Sequence, residues 1–223
     1  MKLKSFLRKA ESVLNRLDAW LPPETREPDW NAAAFRWQKS GNKGILESLP
    51  APHTFPLSRL AAVDSQTAKL VRNTEQFLAG RPANNVLLTG SRGTGKSSLV
   101  KALLHEYGAS GLRLIEVDKS DLTALPALLQ LLASRPEKFI VFCDDLSFED
   151  GEDGYKALKT ALDGGLSQRC ANVLVYATSN RRHLMPEYMD ENTGHTGVRG
   201  EVHAKEAVEE KISLSDRFGL RLS

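Results

Sequence analysis

The sequence is poor in cysteine, with only Cys143 and Cys170 in 223 residues. Two cysteines are too few for a disulfide scaffold, and Cys143 lies in an apolar run that favours a small buried hydrophobe. This usage is typical of the reducing cytosol, so we predict a cytoplasmic protein.

Long apolar runs and a strong excess of one charge are absent as well. No run reaches the roughly 18–20 apolar residues of a membrane span, so we expect no transmembrane segment. The formal net charge is +2, which gives no reason from bulk charge to expect nucleic-acid binding. A local basic patch stays open. The length suits one α/β domain with an extension, or two small domains.

Residues 1–50 are predicted to be an N-terminal helical extension and linker. Apolar side chains at helical spacing in residues 1–20 indicate an amphipathic helix that docks on the protein itself or on a partner. Binding to a membrane surface is the alternative. Residues 31–38 are interpreted as a short helix, with Phe35 and Trp37 as packing anchors.

Residues 51–223 are predicted to form one nucleotide-binding core. Helical patterns and continuous apolar segments alternate along it. Helices are expected at 61–80, 96–107, 121–135 and 154–162, and strands at 85–90, 112–118, 138–145 and 172–180. Such alternation indicates an α/β fold in three layers, with helices on both faces of a parallel sheet. Ligands bind at the carboxyl ends of such strands, where Gly90, Asp144, Asp145 and Asn180 fall.

The segment GSRGTGKS at residues 90–97 fits the phosphate-loop pattern G-x-x-x-x-G-K-[S/T]. Its glycines let the backbone curl, so that N–H groups and the positive end of the next helix surround phosphate oxygens. Lys96 is expected to reach the β- and γ-phosphates, and Ser97 to bind Mg²⁺. The predicted nucleotide-binding residues are Gly90, Ser91, Arg92, Gly93, Thr94, Gly95, Lys96, Ser97 and Ser98.

Two adjacent carboxylates follow the buried strand FIVFC. Asp144 suits the Mg²⁺ shell, and Asp145 suits the orientation of an attacking water as a general base. The alternative is that the pair caps the strand or the next helix. The acidic residues at 149, 150, 152 and 153 are interpreted as a solvated helix entry and are left out of the site.

Together these segments resemble AAA+ ATPases, with GSRGTGKS similar to Walker A and FIVFCDD similar to Walker B. VLVYATSN resembles the sensor 1 strand, which implies that Asn180 lies near the γ-phosphate and the water. SLSDRFGL at 213–220 resembles the arginine-finger segment, with Arg217 at the finger position. Residues 57–70 resemble the segment that contacts adenine. Over roughly residues 30–223 the chain is similar to an uncharacterised bacterial group of AAA+ proteins, a domain-of-unknown-function family.

The resemblance implies ATP and Mg²⁺ as cofactors and hydrolysis of ATP to ADP and phosphate. Lys96, Asp145, Asn180 and Arg217 would be the catalytic residues, with Ser97 and Asp144 at the metal. It also implies a head-to-tail homo-oligomer in which Arg217 completes a neighbour's site, and a macromolecular client of unknown identity. A salt-bridging role for Arg217 is the alternative. The basic residues at 181–183 would contact phosphate or a neighbour, or form a solvated loop.

The sequence departs from the AAA+ pattern in two places. Walker B ends Asp-Asp rather than Asp-Glu, which shortens the reach of Asp145 to the water by one methylene. The chain ends at Ser223, so we expect the last core strand and the helical lid to be missing. A truncated chain or a fragment is the favoured interpretation, and a lid supplied from elsewhere is the alternative. Two alternatives stay open: a slow-turnover ATP switch or scaffold, and a DNA-linked initiator or loader. Nucleic acid is not favoured, because the basic N-terminal helix lacks interleaved aromatic residues.

Overall fold

The computed structural model describes residues 27–40, 43–148, 152–163, 170–180, 184 and 214–223. The predicted N-terminal helix, the basic residues at 181–183 and the acidic residues at 149 and 150 lie outside these ranges. Within the described ranges, no helix is long and apolar enough to cross a membrane.

The described residues contain seven strands, which form a single sheet. They are β1 (Ala34–Ser40), β2 (Lys43–Leu49), β3 (Val86–Thr89), β4 (Leu112–Val117), β5 (Lys138–Cys143), β6 (Val173–Ser179) and β7 (Leu220–Leu222). Their order across the sheet is β2-β1-β4-β5-β6-β3-β7. Every neighbouring pair is parallel except β1 and β2, which pair antiparallel at one edge.

In the part of the chain that the structure describes, four α-helices cover the sheet on both faces. They are α1 (Asp64–Leu78), α2 (Lys96–Tyr107), α3 (Leu125–Ala133) and α4 (Asp153–Asp163). Successive side chains of β5 point to opposite faces, so Ile140 packs in the core under α1 and α2, and Val141 packs in the core under α3 and α4. The predicted three-layer α/β fold with a parallel sheet is therefore confirmed. Shorter 3-10 turns lie at Leu57–Arg59, Gly108–Ser110 and Lys119–Ala124.

The predicted short helix at 31–38 is wrong, because residues 34–38 lie in β1 and residues 31–33 form no helix. Phe35 and Trp37 are 1% and 2% exposed, as packing anchors should be. They lie two residues apart on one face of a strand that pairs with β4. The Trp37 ring lies over Gly44 of β2, where an added Cβ would come within 1.8 Å of it. Tertiary pairing thus overrides the helical propensity of the alanines, and the helical extension predicted up to residue 50 does not hold for residues 34–49.

The expectation that the last core strand is missing is also wrong. Residues 220–222 form β7, which pairs in parallel with β3 and buries Leu222. Three residues are too few to give a periodic signal, so this strand is defined by its partner and not by its own pattern. The helix expected at 121–135 begins as a 3-10 turn and becomes α3 at Leu125, with Pro126 in its first turn.

Candidate nucleotide-binding site

The loop between β3 and α2 is shaped by three glycines. Gly90, Gly93 and Gly95 have φ angles of 139°, 79° and 84°, a region that L side chains rarely adopt. Gly95 is the N-cap of α2, and its carbonyl accepts the N–H of Leu99 at 2.8 Å. Because glycine has no side chain to cap the helix, the first N–H groups of α2 are left for a ligand.

Lys96 connects this loop to the end of β6. Its Nζ donates to the carbonyl oxygens of Gly90 and Ser91, both at 2.8 Å, and to Oδ1 of Asn180 at 3.0 Å. The ammonium group therefore lies between the phosphate loop and the sensor strand. This position suits a cation that faces the outer phosphates of a bound nucleotide.

Asp144 accepts hydrogen bonds from two hydroxyl groups and one backbone N–H. Its Oδ1 accepts hydrogen bonds from Ser97 Oγ and Thr178 Oγ1, each at 2.5 Å, and from the backbone N–H of Asp145 at 3.1 Å. Ser97 and Asp144 together present a hydroxyl and a carboxylate. These are hard oxygen ligands, and proteins hold Mg²⁺ through one or two carboxylates together with substrate phosphates, so this donor set fits the ion.

Asp145 turns the chain away from β5. It has a φ of +50°, which is uncommon for a residue other than glycine, and its N–H also donates to Thr178 Oγ1 at 2.9 Å. Its carboxylate accepts a hydrogen bond from Asn180 Nδ2 at 2.5 Å. Arg92 lies 3.8 Å from the same carboxylate, but the two side chains are 86% and 55% exposed, so this ion pair contributes little.

These groups line a pocket of about 320 Å³ beside the phosphate loop. Its lining is formed by residues 92–98 with Asp144, Asp145, Thr178 and Asn180. The predicted convergence of the strand ends is thus confirmed, while the roles of the individual residues stay predictions. Leu60 lies next to the loop, since a methyl group at Gly95 would be 3.9 Å from its Cδ2. The segment expected to contact adenine is therefore adjacent to the loop.

Arg217 lies apart from this pocket. It lines a larger groove of about 1080 Å³, together with Asn84 and Asn85, which precede β3. Asn84 lies six residues before Gly90, which corresponds to roughly 20 Å at the rise of a strand. Arg217 Nε donates to Asp163 at the end of α4. The structure therefore places Arg217 at the end of the sheet where β3 begins, opposite the end where the phosphate loop follows β3.

Thr178 was not among the predicted site residues. It is 1% exposed, contacts Asp144 and Asp145, and lines the pocket. The signal available in the sequence is its polarity near the end of an otherwise apolar strand, VLVYATS. A hydroxyl in a buried strand needs partners, and here both partners belong to the acidic strand end.

The strand order, the glycine loop between β3 and α2, and the carboxylates after β5 define the class: an α/β P-loop fold of the AAA+ type that the sequence resembles. The family model described as "Protein of unknown function (DUF815)" matches residues 30–223, and the chain belongs to this family. The predicted membership of a domain-of-unknown-function family is confirmed. No curated protein sequence matches the chain.

Several solved structures are similar to this chain. DnaI is 20% identical over 75% of this chain and 87% of its own, with a TM-score of 0.45. The RuvB Holliday junction branch migration motor of Thermotoga maritima is 17% identical over 75% and 46%, with a TM-score of 0.43. ORC1 of Aeropyrum pernix, in complex with DNA, is 16% identical over 78% and 46%, with a TM-score of 0.49. The chain thus spans less than half the length of the RuvB and ORC1 chains.

Proposed function

We propose that the protein binds Mg-ATP in the pocket beside the phosphate loop and hydrolyses it in a head-to-tail oligomer that remodels or loads a macromolecular partner. The observation that carries the proposal is the meeting of an ammonium, a hydroxyl, two carboxylates and a carboxamide in one pocket. The residues that we assign to this function lie within residues 51–223. Strands β1 and β2 extend the sheet at one edge.

Binding of the triphosphate uses the backbone N–H groups of residues 92–98 and the Lys96 ammonium. Ser97 and Asp144 would hold Mg²⁺, which supplies a Lewis acid that neutralises charge on the phosphate oxygens. Leu60 and its neighbours would pack against the base. Burial of the phosphates at the start of α2 adds the favourable field of the helix N-terminus.

Hydrolysis requires a water oxygen to bond to the γ-phosphorus while the bond from that phosphorus to the ADP oxygen breaks. In our proposal Asp145 orients the water and accepts its proton, and Asn180 fixes the Asp145 carboxylate through the hydrogen bond described above. Lys96 stabilises the charge that spreads over the γ-phosphate oxygens. The products are ADP and phosphate.

Arg217 acts in trans in this proposal. Arg217 lies in the groove beside Asn84 and Asn85, which precede β3, whereas its own phosphate loop follows β3, and this argues against action on its own nucleotide. A head-to-tail contact would bring the groove that holds Arg217 in one subunit to the phosphate loop of the next. The Arg217 guanidinium would then lie beside the neighbour's γ-phosphate. The Asp163 carboxylate orients the arginine in that groove.

The test measures ATP turnover per chain against protein concentration, with Lys96→Ala as the inactive blank. We expect turnover per chain to rise with concentration. Arg217→Ala should lower it about 10³-fold or more, as for other arginine fingers. Arg221→Ala is the matched control, because Arg221 lies in the next strand and forms an exposed ion pair with Asp216.

Mixing the two inactive variants makes the test sharper. A Lys96→Ala chain retains a finger and an Arg217→Ala chain retains a phosphate loop, so mixed oligomers should regain turnover. Flat turnover with concentration and no recovery on mixing would refute the trans finger. Absence of nucleotide binding by the wild type would refute the whole proposal.

A slow ATP switch is the second candidate function. It is favoured by Asp145, whose short carboxylate is already engaged by Asn180 and approached by Arg92. The switch predicts tight Mg-ATP binding, oligomerisation that depends on ATP, and less than about one turnover per minute at saturating protein. Faster turnover would exclude it.

A further inference from the structure

The hydroxyl of Thr178 makes two hydrogen bonds whose directions are fixed by chemistry. A carboxylate oxygen only accepts, so Thr178 donates to Asp144 Oδ1 at 2.5 Å. A backbone N–H only donates, so Thr178 accepts from Asp145 at 2.9 Å. One buried hydroxyl therefore bridges the side chain of the first carboxylate residue and the backbone of the second.

Packing alone does not require a threonine here. Valine has nearly the same shape and would fill the same space between β5 and β3, without the cost of burying a hydroxyl. The residues before Thr178 in β6, Leu174 to Ala177, are buried. The hydroxyl is therefore explained by its partners at the acidic strand end and not by the core.

The two hydrogen bonds of Thr178 fix the side chain of Asp144 and the backbone of Asp145. Ser97 and Thr178 hold the same oxygen of Asp144 from two sides, which restricts the rotation of its carboxylate. The hydrogen bond from the N–H of Asp145 stabilises a left-handed backbone conformation that is unfavourable for a residue other than glycine.

We propose that Thr178 is a positioning residue for the Mg²⁺-nucleotide site: it holds the Asp144 carboxylate toward Ser97 and sets the turn that aims Asp145. The inference rests on the proposed function, since it assigns a role at the same site. In this proposal Thr178 acts on the site through the two aspartates.

The experiment measures the Mg²⁺ concentration needed for half-maximal binding of a fluorescent ATP analogue, and separately the affinity for the analogue in EDTA. Thr178→Val should raise the half-maximal Mg²⁺ concentration about 10- to 100-fold, the usual effect of removing a partner of a metal ligand. Affinity in EDTA should change less than about twofold, because the phosphate loop is intact. Thr178→Ser keeps the hydroxyl and should restore the wild-type value.

Thr74→Val is the matched control. Thr74 is also a buried threonine with two hydrogen-bonding partners, Leu70 and Tyr176, but it lies away from the pocket. It should leave the Mg²⁺ dependence unchanged. If Thr178→Val does not fold, Thr178→Ala replaces it with the same expected readout.

The outcomes separate the two proposals. A wild type that binds nucleotide with a clear Mg²⁺ dependence, matched by Thr178→Val, overturns the inference and leaves the proposed function standing. An equal loss in Thr178→Val and Thr74→Val also overturns it, because the effect would then be a general loss of stability. A wild type that binds no nucleotide, or binds it without response to Mg²⁺, overturns the proposed function and the inference together.

Discussion

Replacement of Asn73 by alanine is expected to lower the free energy of unfolding by about 3 kcal/mol. Asn73 lies in α1, is 4% exposed, and joins this helix to the start of β3. Its Nδ2 donates to the carbonyl of Asn84 at 2.9 Å and to the hydroxyl of Tyr176 at 3.0 Å. Its Oδ1 accepts the N–H of Asn84 at 3.0 Å.

The magnitude follows from these three bonds. Each buried hydrogen bond contributes about 1 kcal/mol net, so the loss of three costs about 3 kcal/mol. Tyr176 keeps its contact with Thr74 at 3.0 Å, which limits the loss. At roughly 2–4 °C per kcal/mol for a domain of this size, the melting temperature should fall by about 6–12 °C.

The assay is urea unfolding followed by circular dichroism, with thermal melting as a second measurement. Arg72→Ala is the control, because Arg72 is exposed and directly precedes Asn73 in the same helix. A loss below about 1 kcal/mol in Asn73→Ala, or an equal loss in the control, would refute the reasoning that these bonds fix α1 to β3.

Three further predictions concern other parts of the chain. Gly44→Ala should destabilise the fold by about 1–3 kcal/mol and change tryptophan emission, because the new Cβ meets the Trp37 ring; unchanged stability would contradict this contact. Burial raises the pKa of Cys143 to about 12, so one thiol, Cys170, should react with a disulfide reagent in the folded protein and both in urea. Burial, with a hydrogen bond to a glutamate, raises the pKa of Tyr107 to about 12. Its contribution to stability is present below pH 10 and is lost as the pH rises toward 12, so Tyr107→Phe should reduce the alkaline fall in stability.

The central sheet could be predicted from the sequence because its strands carry their own signal. The strands β3, β5 and β6 are mostly apolar and are followed by polar or glycine residues, and this pattern indicates both the parallel sheet and the strand ends at which its ligand binds. The phosphate loop was predictable for a similar reason, since its glycines and lysine have a fixed local spacing.

The edges of the sheet could not be predicted in the same way. Three alanines at 32–34 lead into β1 and favour a helix, and the pairing of β1 with β4 makes the segment a strand. β7 has three residues and depends on β3 in the same manner. Thr178 is a further case, because its proposed role depends on hydrogen bonds to Asp144 and Asp145, which lie more than thirty residues earlier in the chain.

Arg217 and the phosphate loop lie at opposite ends of the strands, so the two ends of the subunit differ. In the proposed head-to-tail assembly, each interface would join the loop of one chain to the arginine of the next. An open stack of this kind would leave the loop of its last member without an arginine. A stack of n chains would therefore have n − 1 complete sites, and closure into a ring would complete the last one. Under this proposal, turnover per chain would report the length of the assembly and its closure.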